Sequence, residues 1–475
     1  MKINKTVSFI LLFSFLPIIL FGCTAPPTET TIAEKTETVT ETETETETET
    51  DTTEPPDEKE EMKRYFIYRI WNFNKRDFES FKNTVDTVVK TGFNAIKIHM
   101  PWHRMQAADG TIDYTEADSL IDYVVKEKGL PVAISIDFAR RYGDGMLDDS
   151  ELQRDKSGNL CVGDVYYNRC VLSFASDTAT EKAVTFYKDA AAHFDGKYGK
   201  SILFYLPAFT PYCETEYWCA GQYDYSDVAV NKFRSELSEK YESIDKLNEA
   251  TKKKYASFDE VEAPSCGSSD ALGILWYNFR HEMLKSFIDR LAAAQKEAAP
   301  DSKITIQLGS VFDEATYLRC TYRFADLCEN ADIVWFDDAP LYDHNFSMDY
   351  VRSSLPDGVV IAQEIDGPRQ YNASEEAYLN QGLISYQRGA AYLSIANWEV
   401  DDYYYQYEDV FKQIISTWLC DDPPEVIEIK DDTPTQKIKL SEMFKKKSPS
   451  SFITKYNKAL TDGGAVKITV IDDLK

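Results

Sequence analysis

The chain has 475 residues, with 52 lysines and arginines against 80 acids, a formal net charge of −28 at neutral pH, and 43% hydrophobic residues. That length accommodates one large α/β domain with flanking segments. The acidic balance argues against nucleic acid as a partner, because gripping a phosphate backbone requires a basic footprint.

The N-terminus begins with Lys2 and Lys5, followed by an apolar stretch from Val7 to Phe21 broken only by Ser8, Ser14 and Pro17. A basic start before a short hydrophobic core reads as an export signal, and the stretch falls short of the about 20 apolar residues a bilayer crossing needs. The ending Leu20-Phe21-Gly22-Cys23 resembles a bacterial lipoprotein signal. That resemblance implies a signal peptide over residues 1–22, acylation of Cys23, membrane lipid as a partner, and an extracytoplasmic or cell-surface location. Residues 23–61 are the expected tether. Between residues 24 and 61 lie fourteen acids and two lysines, including ETETETETET at 41–50, so twelve of the net negative charges belong there. A stretch that polar cannot build a core, and its like charges extend it.

Residues 62–420 read as one α/β domain. Apolar runs recur with helical segments between them, the pattern of parallel strands covered by helices. The expected strands are residues 64–71, 95–100, 131–138, 202–209, 303–309, 332–338, 359–366 and 391–399. Eight strands predict a (β/α)8 TIM barrel, whose functional end is where strands run into the following loops. Helices are expected over residues 77–90, 116–128, 178–195, 272–299, 374–389 and 405–419. The largest insertion runs from Pro211 to Ser269, and its helical portion from Asp224 to Ala250 could wall a cleft. Residues 421–475 change composition after a proline breaker and form a small appendage, expected to contain β structure and to cover the barrel.

Besides Cys23 there are cysteines at 161, 170, 213, 219, 266, 320, 328 and 420. Outside the membrane an even number permits disulfides, with Cys161–Cys170, Cys213–Cys219 and Cys320–Cys328 the close pairs. Five scattered histidines give no tight metal cluster, and neither a metal nor a cofactor is expected.

Two acids stand at expected strand ends. Glu214 follows the fourth strand and Glu364 lies in IAQEIDG at the end of the seventh. Cleaving a glycosidic bond requires one carboxylic acid to protonate the leaving oxygen and a second carboxylate to attack the sugar or activate water. Glu214 and Glu364 meet that demand. For Glu364 the plain alternative is a salt bridge to Arg369 or Arg104.

The stretch TGFNAIKIHMPWHRMQAADGTIDYTEADSLIDYVVKEKGLPVAISID, from Thr91 to Asp137, resembles the early barrel of the beta-galactosidase-like glycoside hydrolases of family forty-two and their relatives. PYCETEYW at 211–218, YDYSDVAVNKFRSELSEKYESIDKLNEA at 223–250 and IAQEIDG at 361–367 are similar to that family's acid/base loop, insert region and nucleophile strand. The resemblance implies a retaining β-glycosidase with Glu214 as acid/base and Glu364 as nucleophile, acting on an oligosaccharide or glycoside, with β-galactosides as the substrate the likeness points to. Glu216 then binds a sugar hydroxyl or tunes Glu214. Related barrels commonly carry Asn before the acid/base glutamate; here Cys213 stands there, so that contact is absent or supplied elsewhere.

Further substrate-binding residues are expected at strand ends: Trp71, His99, Trp102 and Arg104 after the first two strands, Asp137 after the third, Asp337 after the sixth, and Asn397 and Trp398 after the eighth. Indoles match the flat apolar faces of sugars, and polar groups match hydroxyls. Two other readings stay open: an inverting glycosidase, and a carbohydrate-binding surface lipoprotein without catalysis.

Overall fold

The computed structural model describes residues 63–474 apart from residues 71–76, 165–168, 211, 368–370, 372, 397–399, 401, 421, 462 and 463. The expected signal, Cys23 and tether therefore lie outside the described residues, as do Trp71, Asn397 and Trp398. Among the described residues no helix is long and apolar enough to cross a membrane.

Eight parallel strands form the barrel: β1 Tyr65–Ile70, β2 Ala95–Pro101, β3 Val132–Asp137, β4 Ile202–Ala208, β5 Thr305–Gly309, β6 Ile333–Asp338, β7 Val360–Asp366 and β8 Ala390–Ala396. Their order around the sheet is β4-β3-β2-β1-β8-β7-β6-β5. The seam between β4 and β5 is closed at one end by a bridge between Tyr205 and Ile304. At the other end the chain returning after β4 fills it: the Thr215 amide donates to the Gln307 carbonyl at 2.6 Å, and Thr215 Oγ1 donates to the Pro207 carbonyl at 2.7 Å. The expected TIM barrel is thus the observed fold, with all eight strands present and their ends shifted by a few residues.

Local chemistry sets the helix ends. The helix Phe78–Thr91 starts at Asp77, whose carboxylate accepts from the Ser80 amide at 2.7 Å. It stops at Gly92, which adopts φ 114° and donates to the Val88 and Val89 carbonyls; a left-handed stop of this kind favours glycine. The buried face Phe81, Val85 and Val88 packs into the main core. The expected helix over 116–128 instead divides into Thr115–Asp122 and a π-helical turn Tyr123–Glu127. The helix His344–Arg352, only nine residues long, was not expected.

After the barrel, β9 Thr435–Lys439 and β10 Lys467–Ile471 pair in parallel, with the helices Leu440–Lys446 and Ser450–Ala459 between them. This appendage is fastened to the barrel through buried Asp349. Its carboxylate accepts from Arg352 Nη2 at 2.5 Å, from Arg388, from the Tyr456 hydroxyl at 2.6 Å and from the Val466 amide at 2.8 Å. All eight described cysteines are free thiols, so the disulfides considered from the close pairs are not formed.

Candidate active site

Strand periodicity places the functional side chains. Successive residues of a strand face opposite sides, and Ile67, Ala95, Ala133, Phe204, Leu206, Ile333, Trp335, Ala362 and Tyr392 belong to one compact inner cluster. Two residues further along the same strands come Arg69 on β1, Lys97 on β2, Ser135 on β3, Asp337 on β6, Glu364 on β7 and Ser394 on β8, joined by Gln307 from β5. The apolar floor therefore carries a polar layer at the mouth. Lys97 Nζ stands over the Trp335 ring, 4.4 Å from its centroid.

Glu364 is fully buried and accepts four hydrogen bonds. Arg69 Nη1 donates to Oε1 at 2.7 Å and Gln307 Nε2 to the same oxygen at 3.0 Å; Lys97 Nζ donates to Oε2 at 2.9 Å and Ser394 Oγ at 2.8 Å. Burial alone would raise its pKa, but the charges of Lys97 and Arg69 and the donated hydrogen bonds overcome it and hold the carboxyl at about 2. Glu364 is therefore a carboxylate at any ordinary pH. The ion pair considered with Arg369 or Arg104 is replaced by one with Arg69 and Lys97, two strand residues that share the barrel interior; Arg369 lies outside the described residues.

Glu214 sits on the segment that returns after β4. A turn from Phe209 to Glu214 reverses the chain, with the Cys213 amide donating to Thr210 at 3.2 Å and the Phe209 amide to the Glu214 carbonyl at 2.9 Å. Cys213 takes the left-handed φ of 82° within it. The Glu214 carboxyl accepts from the Thr210 hydroxyl. Burial raises its pKa above 4.5, and the nearby Glu364 charge adds to this, against the pull of Thr210 and Arg69. Arg69 links the two regions directly: its Nη2 donates to the Tyr212 carbonyl at 2.7 Å while Nη1 holds Glu364.

Glu216 faces other partners. Arg319 Nε donates to its Oε1 at 3.0 Å and the Gly309 amide to its Oε2 at 3.1 Å. A Cβ on Gly309 would lie 2.7 Å from Arg319 Nε and 3.2 Å from Glu216 Oε1, so the end of β5 needs glycine to admit this pair. Glu214 and Glu216 are thus divided by environment, one towards Glu364 and the other into an ion pair on the wall.

Asp337 joins the two acids. Burial, with Asp366, Glu364 and Glu214 close by, pushes its carboxyl well above the usual carboxylate range, and it shares a hydrogen bond with Asp366. His99 and Asp137, two residues beyond Lys97 and Ser135 on the same strands, are buried as well. His99 Nδ1 lies 2.7 Å from Cys213 Sγ, and Nε2 lies 3.2 Å from Asp137 Oδ2, which also accepts from Arg169. Burial lowers the His99 pKa, so the neutral ring braces the turn that carries Glu214.

Two expected binding residues are elsewhere. Trp102 is fully buried, stacked at 5.6 Å on Phe186, with its Nε1 donating to Gln106 at 2.7 Å. It begins the short helix Trp102–Met105, which turns it outward into the layer between barrel and helices and away from the mouth. Arg104, two residues on, pairs with Glu116. Neither forms a sugar platform. An aromatic pair that was not among the expected binding residues does stand near Glu214: Tyr212, 49% exposed, stacks on Trp218 with centroids 5.0 Å apart.

Lys97, Arg69, Gln307 and Ser394 were missed, although the sequence carries their signal. Each is a polar residue at an alternate position of an otherwise apolar strand, which in a closed barrel can only point inward. One group among the described residues is compact enough for a metal, His281, Glu282 and Asp326; Arg323 already supplies a cation there, pairing with Glu282 at 3.5 Å and Asp326 at 3.1 Å.

Comparison with known proteins agrees with this geometry. The family model for glycoside hydrolase family 42, beta-galactosidase, matches residues 204–364, a span that begins in β4 and ends on Glu364. A beta-amylase from Cytobacillus firmus is 26% identical over 218 residues, covering 40% of this chain and 45% of that protein. The chain thus spans less than half of that curated relative. Among solved structures, the beta-galactosidase from the haloarchaeon Halorubrum lacusprofundi superimposes with a TM-score of 0.65 at 15% identity over 86% of this chain and 66% of the other. The catalytic domain of a beta-amylase from Paenibacillus polymyxa gives 0.57 at 19% identity over 74% and 98%. The structural likenesses establish the barrel, and the family match supports a glycoside hydrolase of the family 42 type.

Proposed function

We propose that this chain is a retaining β-glycosidase that hydrolyses O-glycosidic bonds, with β-galactosides as the first substrates to try, and that Cys23 anchors it by lipid outside the membrane. The observation that carries the reading is the opposed pair. One buried carboxyl, Glu364, is held ionised by two cations, and a second, Glu214, is pushed toward its protonated form within the first one's field. Environments that drive two acids apart assign their roles.

In the first step Glu364 attacks the anomeric carbon while Glu214 gives its proton to the departing oxygen, forming a glycosyl ester and a free aglycone. In the second step Glu214, now ionised, takes a proton from water, and the resulting attack on the same carbon releases the sugar and restores Glu364. Lys97 and Arg69 stabilise the carboxylate at both ends of this cycle. Gln307 and Ser394 fix its plane.

Proton NMR of the first-formed product, run on a β-galactoside and a panel of other β-glycosides, tests the mechanism. The β anomer as initial product is expected. An α anomer would mean water attacks directly, and hydrolysis of no glycoside by the intact protein would leave only carbohydrate binding. Palmitate incorporation into the full chain, absent from Cys23→Ala, tests the anchor.

A further inference from the structure

The loops that follow β2 and β3 concentrate positive charge in a chain whose net charge is −28. After β3, Arg140–Arg141 pairs antiparallel with Arg169–Cys170, and the register sets Arg141 directly opposite Arg169. Like charges across a strand pair are destabilising. Next to them stands His103, from the short helix after β2, whose ring is within the field of Arg169, Arg141, Arg140 and Arg104.

Acids offset part of this charge. Asp144 accepts from Arg140 Nε at 2.8 Å, Asp137 accepts from Arg169, and Glu116 accepts from Arg104. The account does not close. Arg140 is 2% exposed, and while its Nη2 donates to the Gln106 carbonyl at 3.0 Å, its Nη1 has no hydrogen-bond partner among the described residues. Burial and the surrounding guanidinium groups lower the His103 pKa to about 3, and neither nitrogen of that neutral ring has a partner among the described residues. Arg141 is exposed and makes no ion pair among the described residues. A buried donor left open asks for an explanation, and an anion with oxygens to share is one that guanidinium groups are built to hold.

This cluster sits at the functional end of the barrel. Arg169 grips Asp137, Asp137 meets His99, and His99 braces the turn that presents Glu214. We propose that His103, Arg140, Arg141 and Arg169 form an anion subsite that makes this protein select glycans carrying a sulfate ester or a carboxylate near the bond that is cleaved. The proposal rests on the glycosidase reading for its substrate but not for its charge. An acidic protein surface repels an acidic polymer, so such a glycan would be held only where charge is locally reversed.

The test pairs each anionic probe with its neutral counterpart: a sulfated galacto-oligosaccharide with its desulfated form, and a glucuronate-bearing oligosaccharide with its carboxyl-reduced form. Turnover is measured for the intact protein and for Arg141→Ala, which changes an exposed side chain and should fold. Binding is measured by calorimetry in Glu364→Gln with and without Arg141→Ala.

The anionic member of at least one pair is expected to be preferred, with the ratio of kcat/KM falling roughly tenfold in Arg141→Ala, as loss of one charge-assisted contact implies. Raising salt should compress the same ratio. Which pair responds separates sulfate from carboxylate. If neutral members are cleaved as well as anionic ones and Arg141→Ala leaves the ratio unchanged, the anion subsite is wrong and the glycosidase reading survives. If nothing is cleaved but the anionic probe binds in an Arg141-dependent way, the subsite stands and the glycosidase reading falls. Equal binding of both members, without a turnover preference, overturns the subsite.

Discussion

Among the described residues, Glu364 inside the barrel and Asp349 on its flank are completely buried and each gripped by two cations. Asp349 draws its remaining donors, Tyr456 and Val466, from the appendage, so its charge closes a joint between two layers of the fold. Glu364 draws all four donors from barrel strands, and it acts on the proton affinity of two further carboxyls, Glu214 and Asp337. Burial and pairing are therefore shared by a fastening group and the proposed nucleophile. What distinguishes the second is a partner acid displaced in the opposite direction.

Exchanging each carboxylate tests that distinction most severely. Glu364→Ala is expected to lower kcat by roughly 10⁴-fold or more, the scale seen when a group essential to a concerted site is removed. Azide should restore part of the turnover and leave glycosyl azide as product, identified by mass spectrometry. Asp349→Ala should leave kcat near that of the parent while reducing stability by about 3–5 kcal/mol, because buried Arg388 and partly buried Arg352 lose their counter-charge. Thermal melting and limited proteolysis near residues 421–435 would register the loosened appendage. A large fall in kcat from Asp349→Ala, with melting unchanged, would dissolve the contrast.

A second exchange separates the two glutamates of the returning segment. Glu214→Ala should reduce turnover about 10²- to 10⁴-fold on sugars with poor leaving groups, the usual range for general acid catalysis, and far less on an activated aryl glycoside that departs without a proton. Glu216→Ala removes one of the two carboxylates that hold Arg319, leaving Asp313 at 2.6 Å, and should act on stability, with no dependence on the leaving group. Leaving-group sensitivity in Glu216→Ala alone would move the acid role to that residue.

The pH profile sharpens the comparison further. The proposed mechanism requires Glu364 ionised and Glu214 protonated, so kcat/KM should hold down to the region of about 2 and decline as pH rises through the Glu214 value, which burial has raised above 4.5. The alkaline limb should vanish in Glu214→Gln when an activated substrate is used. Stability follows Glu364 with the same sign. Its depressed folded pKa supplies stability that is complete above the ordinary 4.5 and is lost as pH falls toward about 2.

The barrel was legible because its strands are nearly uninterrupted apolar runs separated by helical periods, and a parallel sheet buried on both faces demands that pattern. The acids Glu214 and Glu364 were legible because a charge at the end of such a run has few purposes. Side chains beyond the strand ends were harder to place. Trp102 reads as a mouth residue by position, but a short helix beginning at that residue turns it into the core. The cage around Glu364 was hidden by composition, since Arg69, Lys97, Gln307 and Ser394 are single residues on four strands spread over more than 300 residues of the chain. Only closure of the sheet brings them to one oxygen pair. The partner of each acid is a property of topology, whereas the acid itself is a property of the local sequence.

The smallest expected effect lies at the exposed edge of the same contrast. Tyr212 precedes the strained turn at Cys213 and stacks on Trp218, while its carbonyl accepts from the Arg69 side chain that also holds Glu364. The backbone contact does not depend on the phenol, so Tyr212→Ala should leave Arg69, and hence Glu364, in place. Tyr212 and Trp218 flank Glu214 in sequence, so in the proposed mechanism their exposed aromatic face is expected to meet the departing group. Loss of one aromatic contact is worth about 0.5–1.5 kcal/mol, so KM for substrates with a sugar or aryl leaving group should rise by roughly two- to tenfold with kcat nearly constant. Substrates with a methyl leaving group, too small to cover the ring, should show no change. An equal rise for methyl glycosides would mean that the ring supports the turn itself and that the leaving-group side of the site lies elsewhere.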